Sequence, residues 1–321
     1  MPSEPRRIDV HHHIVPPEYV QALADIGIET PGRFPFPDWS PEATLELMDQ
    51  NGIATAMTSI TAPGVYFGDD VFARDLARRC NEISAGLVSD HPKRFGAFAV
   101  LPLPDVDAAL LEMEYALDTL RLDGVALLTS IGNKYLGDPA FEPLFDEIDR
   151  RNVVVYTHPN IPPGFDVPEL ILPAPLIEFI FDTTRAATNL VLSGTLERHP
   201  NIRLILSHAG GAIPYIAGRI ALADDNPLVS GNIPDGAIAA LECFYYDTAL
   251  SATRYALPSL KELADPTHIL FGTDYPFAPE GVMGKTIRGL EDHGGFDATA
   301  KRAIERDNAA RLFPRLGSTS A

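Results

Sequence analysis

The chain has 321 residues, 45% of them hydrophobic, and a formal charge of −19 at pH 7. The usual size of about 150 residues per domain would suggest two domains, but α/β barrels run past 250 residues as one. The acidic balance argues against nucleic acid and anionic membrane surfaces, which need a basic face, while a small acidic substrate stays open because a local arginine or metal overrides the global field.

In chain order the first element is Arg7-Ile8-Asp9-Val10-His11-His12-His13. Ile8, Val10, Ile14 and Val15 mark a buried strand rather than an appended tag. Successive strand side chains alternate in direction, so His11 and His13 project together and His12 points away. Two imidazoles on one side of one strand make half a metal site. Pro16-Pro17 opens a helix over Glu18–Asp25. Residues 29–41, rich in proline and aromatics, cannot continue a helix and form an ordered loop that contains Arg33. Ser40 caps a helix through Met48, closed by Asn51-Gly52.

Apolar runs of strand length then alternate with segments of helical period. The strands are Ala54–Ile60, Arg94–Leu103, Gly124–Ser130, Val153–Pro159, Ile202–Ala209, Phe244–Ser251 and His268–Pro276, which with the first makes eight. Val106, Leu110, Met113, Leu117 and Leu120 step at helical spacing, and Phe72–Val88 and Phe141–Arg151 are similarly amphipathic. Runs such as Val153-Val154-Val155-Tyr156 and Arg203-Leu204-Ile205-Leu206 are apolar on both faces, as in a parallel sheet. The pattern favours a single-domain (β/α)8 TIM barrel over residues 1–321, with a frayed tail from Gly317. No GxGxxG or GxxxxGK[ST] follows a strand, against a dinucleotide or P-loop fold. Cys80 and Cys243 form no ligand pattern and are expected as small buried hydrophobes in a reducing compartment. Without an apolar leader or a run of about 18 apolar residues, the chain is expected to be soluble and cytoplasmic.

Barrel active sites form at the C-terminal ends of the strands. Those ends carry His11 and His13, Thr157-His158-Pro159, Ser207-His208-Ala209-Gly210-Gly211 and Gly272-Thr273-Asp274-Tyr275-Pro276. His158 or His208 alone would more often be a satisfied core histidine, and Asp274 alone a loop cap. Convergence from separate strands makes His11, His13, His158 and Asp274 a His3Asp metal shell with room for water or substrate. His91, His199, His268 and His293 sit at helix ends, at a strand start and in a turn, and carry no assigned role.

Asp9-Val10-His11-x-His13, Tyr156-Thr157-His158-Pro159, Leu206-Ser207-His208-Ala209-Gly210-Gly211, Gly272-Thr273-Asp274-Tyr275-Pro276-Phe277 and the closing Asp307-Asn308-Ala309-Ala310-Arg311-Leu312-Phe313 resemble the amidohydrolase superfamily. Within it they are most similar to the decarboxylase branch typified by aminocarboxymuconate semialdehyde decarboxylase, and His11–Pro17 resembles 6-methylsalicylate decarboxylase-like members. The resemblance covers nearly the whole chain. It implies metal ligation by His11, His13, His158 and Asp274, an acid/base role for His208, a substrate-contacting Phe277, and an Arg219 that reaches a substrate carboxylate across a homodimer interface. Arg33 and the Pro-rich segments 159–175 and 226–236 are candidates for a carboxylate contact and for interface or rim loops. Gly124–Ser130 lacks the bridging lysine of the binuclear hydrolases, so one divalent ion is expected, Zn²⁺ or alternatively Mn²⁺.

The expected activity is metal-dependent, non-oxidative decarboxylation of a small aromatic or enol-type carboxylic acid, salicylate-like, with Asp274 or His208 delivering the proton. The sequence does not choose between those two donors. A mononuclear hydrolase of a lactone, amide or ester shares the same ligands, and a non-catalytic binding protein that kept the barrel is the reading from another class.

Overall fold

The computed structural model describes residues 6–29, 35–161, 174–278 and 280–317. Arg33, most of segment 159–175 and the tail beyond Gly317 lie outside the described residues. Eight strands follow one another around a parallel sheet: β1 (Arg7–His13), β2 (Ile53–Ser59), β3 (Phe95–Val100), β4 (Gly124–Leu128), β5 (Val154–His158), β6 (Arg203–Leu206), β7 (Tyr245–Asp247) and β8 (Ile269–Leu270). The chain after β8 returns to β1 through Val10 N to Phe271 O at 3.0 Å, Asp274 N to His11 O at 2.8 Å and His13 N to Tyr275 O at 2.7 Å. These bonds close the sheet into the expected barrel.

Two apolar layers hold it. Leu23, Met48, Leu76, Phe145, Leu190 and their neighbours fill the space between the helices and the outer face of the sheet. Ile8, Val10, Met57, Phe98, Val154, Tyr156, Ile205 and Leu270 fill the interior. The interior layer is finished by Ala309, Leu312, Phe313 and Leu316 from the C-terminal segment, with Phe313 meeting Phe98 edge to face at 5.7 Å. Asn308 fixes that segment, its buried amide donating to Ile269 O at 2.7 Å and Pro266 O at 2.9 Å. The Asp307–Phe313 motif is therefore the floor of the barrel, at the end opposite the histidines.

The helices begin and end where their sequences dictate. Helix α1 (Pro17–Asp25) starts on a proline, whose missing N–H is no loss at that position. The Ser40 hydroxyl accepts from Ala43 N at 3.1 Å to start α2 (Pro41–Gln50). The Asp69 carboxylate does the same for α3 (Asp70–Asp90). Helix α4 (Val106–Glu114) runs on through a π-helical turn, and α5 (Glu142–Arg151) stops at left-handed Asn152. Helices α6 (Glu178–Leu192) and α7 (Ile213–Ile220) flank the mouth. No described helix is long and apolar enough to cross a membrane.

Two sequence expectations need correction. Several strands are shorter than their apolar runs, because side chains take over the backbone bonds near the mouth. Cys80 is buried, but Cys243 is exposed, at the end of a short helix.

Candidate metal centre and active site

Strand β1 sets the site. Ile8 and Val10 already face the interior, so an unbroken pleat would send His12 inward next. The register slips between Asp9 and His12, and that bulge brings His11 and His13 inward instead. Both rings pack against Tyr156 inside the barrel, at 5.3 and 6.4 Å between centroids. His12 points the other way, bonded to Asp9 at 2.9 Å and packed on Tyr275.

Asp9 holds the bulge in place. Its buried carboxylate accepts from His11 N at 3.1 Å, from Thr273 N at 3.0 Å and from the Thr273 hydroxyl at 2.6 Å. One side chain on β1 thus grips the segment that carries Asp274. Asp274 has φ 65°, and His208 and Ala209 have φ 54° and 57°. Non-glycine residues in this region cost about 1–3 kcal/mol each and persist only where surrounding bonds over-determine them.

His11, His13, His158 and Asp274 each offer one ligand atom, and the four atoms lie within 4.8 Å of one another. All four residues are buried. The nitrogens that face away from the centre are committed. His11 Nδ1 lies 2.8 Å from the Asp247 carboxylate, and His158 Nδ1 lies 2.8 Å from the Pro159 carbonyl and from the Thr61 hydroxyl. A carboxylate and a carbonyl only accept, so both imidazoles keep a proton on Nδ1, and Nε2 is the atom left to face the centre. His13 Nδ1 is bonded to the Ser59 hydroxyl at 2.9 Å. The Nε2 atoms of His11 and His13 are buried without a hydrogen-bond partner and lie 3.2 Å from Asp274 Oδ1. Orphaned nitrogens converging on a carboxylate fit a divalent cation, and this is the one such group among the described residues.

The protonation pattern of the metal-free shell points the same way. Burial pushes the His13 imidazole down to about 4 and His158 well below its usual value, leaving both neutral as ligands require. Burial also opposes a charge on His11, but Asp247 and Asp274 outweigh it and raise His11 to about 10. Asp274 stays ionised far below the usual carboxylate range despite its burial, held by the His11 charge and by the His13 and His208 imidazoles beside it. Without a cation, the proton on His11 supplies the positive charge at the centre.

A model of the amidohydrolase family matches residues 8–315. The chain belongs to the amidohydrolase family. This amidohydrolase is 39% identical over 315 residues to a 6-methylsalicylic acid decarboxylase of Penicillium expansum, covering 97% of each chain. Among solved structures it matches an amidohydrolase II with a TM-score of 0.91 and 32% identity, over 96% of this chain and 99% of that one. It also matches a 2,6-dihydroxybenzoate decarboxylase in complex with 2,6-dihydroxybenzoate, with a TM-score of 0.82, 27% identity and coverage of 96% and 99%.

Of the other site residues expected from the amidohydrolase motifs, His208 joins the cluster. Its Nε2 lies 3.4 Å from Asp274 Oδ2 and its ring 4.8 Å from that of His11. Phe277 stands over His13 at 5.8 Å, 36% exposed. Arg219 is exposed on α7 and outside the cluster.

Sequence reasoning missed Asp247, which is wholly buried. Besides orienting His11, it accepts from His208 N at 3.0 Å and Ala249 N at 2.9 Å, tying His11 to His208. It also missed Phe179 on α6, edge-on to His158 at 5.8 Å, and Asp182. The buried Asp182 carboxylate accepts from Thr129, from Ser130 at 3.2 Å and from Asn160 N at 2.9 Å, binding the ends of β4 and β5 together. A lone aspartate in a strand or helix gives no spacing signal that could have flagged either carboxylate.

Proposed function

We propose that this amidohydrolase is a metal-dependent carboxy-lyase, a non-oxidative decarboxylase of a small ortho-hydroxy aromatic acid of the salicylate type. The observation that carries the reading is the convergence of three imidazoles and one carboxylate on a single buried point beside His208. The 39% identity to a 6-methylsalicylic acid decarboxylase over nearly the full length supports the reaction class.

His11, His13, His158 and Asp274 would hold one divalent ion, with Zn²⁺ the favoured metal and Mn²⁺ compatible with the same donors. Such an ion, when bound, orients the substrate carboxylate and its neighbouring hydroxyl and neutralises their charge. Exchange of carboxylate for hydrogen on the ring needs a proton at the carbon that releases CO2, and the bonding pair of the broken C–C bond stays with the ring. His208 Nε2 and Asp274 Oδ2, 3.4 Å apart, are the pair that can hold and hand over that proton. General-acid help of this kind is worth about 10² to 10⁴ in rate. Burial of both residues excludes bulk water from the transfer. Phe277 would pack on the ring. Arg219, exposed and outside its own cluster, would meet the substrate carboxylate of a second copy in a homodimer, and the protein would work in the cytoplasm.

The test is CO2 release from salicylate-type acids by protein loaded with Zn²⁺ or Mn²⁺. The expected result is equimolar CO2 and phenol. Hydrolysis of a lactone, amide or ester, with no CO2 from any aromatic acid, would overturn the reading.

A further inference from the structure

The bonds around His158 lead back to α6. Phe179 and Asp182 lie three residues apart on that helix and so share a face. Phe179 meets the His158 ring edge-on at 5.8 Å, and the wholly buried Asp182 carboxylate reaches the chain on both sides of His158. On one side its Oδ2 takes the Thr129 hydroxyl, while Thr129 N donates to His158 O at 2.9 Å. On the other side the same oxygen takes Asn160 N at 2.9 Å. That N–H and the Pro159 carbonyl are the two ends of one peptide unit, and the carbonyl stands 2.8 Å from His158 Nδ1. The unit is planar and trans, so its C=O and N–H point in opposite directions and turn together. The proline ring locks φ of Pro159, which leaves rotation about its Cα–C bond to aim the carbonyl. An acceptor fixed at the N–H end stops that rotation.

We infer that Asp182 is a positioning residue of the metal centre: by pinning the 159–160 peptide it aims the Pro159 carbonyl at His158, which keeps that ring's proton on Nδ1 and leaves Nε2 for the cation. The inference rests on the reading of His158 as a metal ligand. Thr61 is a second arm on the same ring, its hydroxyl 2.8 Å from His158 Nδ1. The two arms are not equivalent. A hydroxyl can donate or accept, so Thr61 alone tolerates either tautomer, whereas a carbonyl only accepts. The arm that Asp182 aims is therefore the one that decides where the proton sits.

The experiment measures Zn²⁺ affinity by chelator competition and, in the metal-free protein, the tautomer of His158 by 15N chemical shifts. Asp182→Ala should weaken Zn²⁺ binding by about tenfold, the low end for a ligating histidine that loses its outer partner, because Thr61 still faces Nδ1. Asp182→Asn keeps an oxygen for Asn160 N and should recover most of that loss. On a Thr61→Val background, either Asp182 variant should lose several-fold more affinity than it does alone, since two arms on one ring combine non-additively. The asparagine pair keeps the inference testable if the alanine variant fails to fold. Asn308→Ala, which strands two carbonyls at the opposite end of the barrel, should bind Zn²⁺ as wild type does and so separates positioning from lost stability. Asp182 variants with wild-type affinity on both backgrounds, or an equal loss in Asn308→Ala, overturn the inference. A wild type that takes up no Zn²⁺ sinks the metal centre instead, and the 15N shifts then decide on Asp182. The His158 proton should sit on Nδ1 in wild type and be shared with Nε2 in the Asp182 variants on the Thr61→Val background, and an unchanged tautomer there removes Asp182 from the role.

Discussion

Asp247→Asn removes one charge and almost no volume, so its effect falls on the hydrogen bonds around it. Two backbone donors, His208 N at 3.0 Å and Ala249 N at 2.9 Å, both demand an acceptor at the Oδ1 position. The new amide must therefore place its oxygen there and its NH2 group toward His11 Nδ1, now 2.8 Å from a carboxylate oxygen. An NH2 group cannot accept, so His11 has to give up its Nδ1 proton and carry it on Nε2, the atom aimed at the cation. Loss of such an outer partner typically weakens metal binding by about 10–100-fold, or ~1.4–2.8 kcal/mol. The forced tautomer places Asp247→Asn at the upper end of that range. The assay is competition for Zn²⁺ against a chromophoric chelator at neutral pH, with CO2 release measured at saturating metal. Both backbone acceptor bonds survive, so any loss of fold stability in the metal-free protein should come from the weakened hold on the His11 charge. A variant that binds Zn²⁺ as tightly as wild type would refute the tautomer argument.

Asp274→Asn should lose bound metal, and its CO2 release should fall by at least about 10²-fold, the lower bound for losing general-acid help alone; retention of both would remove Asp274 from the site. Exhaustive chelation should abolish activity, with recovery on adding Zn²⁺ or Mn²⁺, and metal at about 100 times its Kd should stabilise the fold by ~2.7 kcal/mol in denaturant titrations. An enzyme that stays fully active after chelation contradicts the metal centre. Asp182→Ala strands two buried hydroxyl donors at about 1–3 kcal/mol each and a partly buried amide, so its unfolding free energy should drop by about 2 kcal/mol or more; a drop below about 1 kcal/mol would mean water replaces the carboxylate there. Thr61→Val should weaken metal binding less than Asp247→Asn, because the Pro159 carbonyl still takes the same His158 proton at 2.8 Å, and metal competition ranks the two.

The barrel was legible because its strands are buried on both faces and read as unbroken apolar runs. The four proposed ligands were legible because each ends such a run. The strand ends were not. Phe244–Ser251 pairs only over Tyr245–Asp247, since the Asp247 carboxylate takes the amides of Ala249 and His208 that a longer ladder would have used. Pro102 and Pro104 have no N–H to give a ladder, and β3 stops at Val100. The pairing of His11 with His13 was read from simple alternation, and the structure reaches the same facing only through the bulge that Asp9 secures. Cys243 was misread because burial of a lone cysteine is an average tendency, and its short helix turns that edge to solvent.

The sealed floor has a kinetic consequence. With Leu312, Phe313 and Leu316 stoppering the far end among the described residues, the vessel has one door. Incoming acid, departing CO2, the aromatic product and each replacement proton then share the histidine end of the barrel, where Phe277 and Phe179 stand against His13 and His158. Traffic through that single doorway then orders the cycle, because the next acid cannot be seated until the previous ring has left.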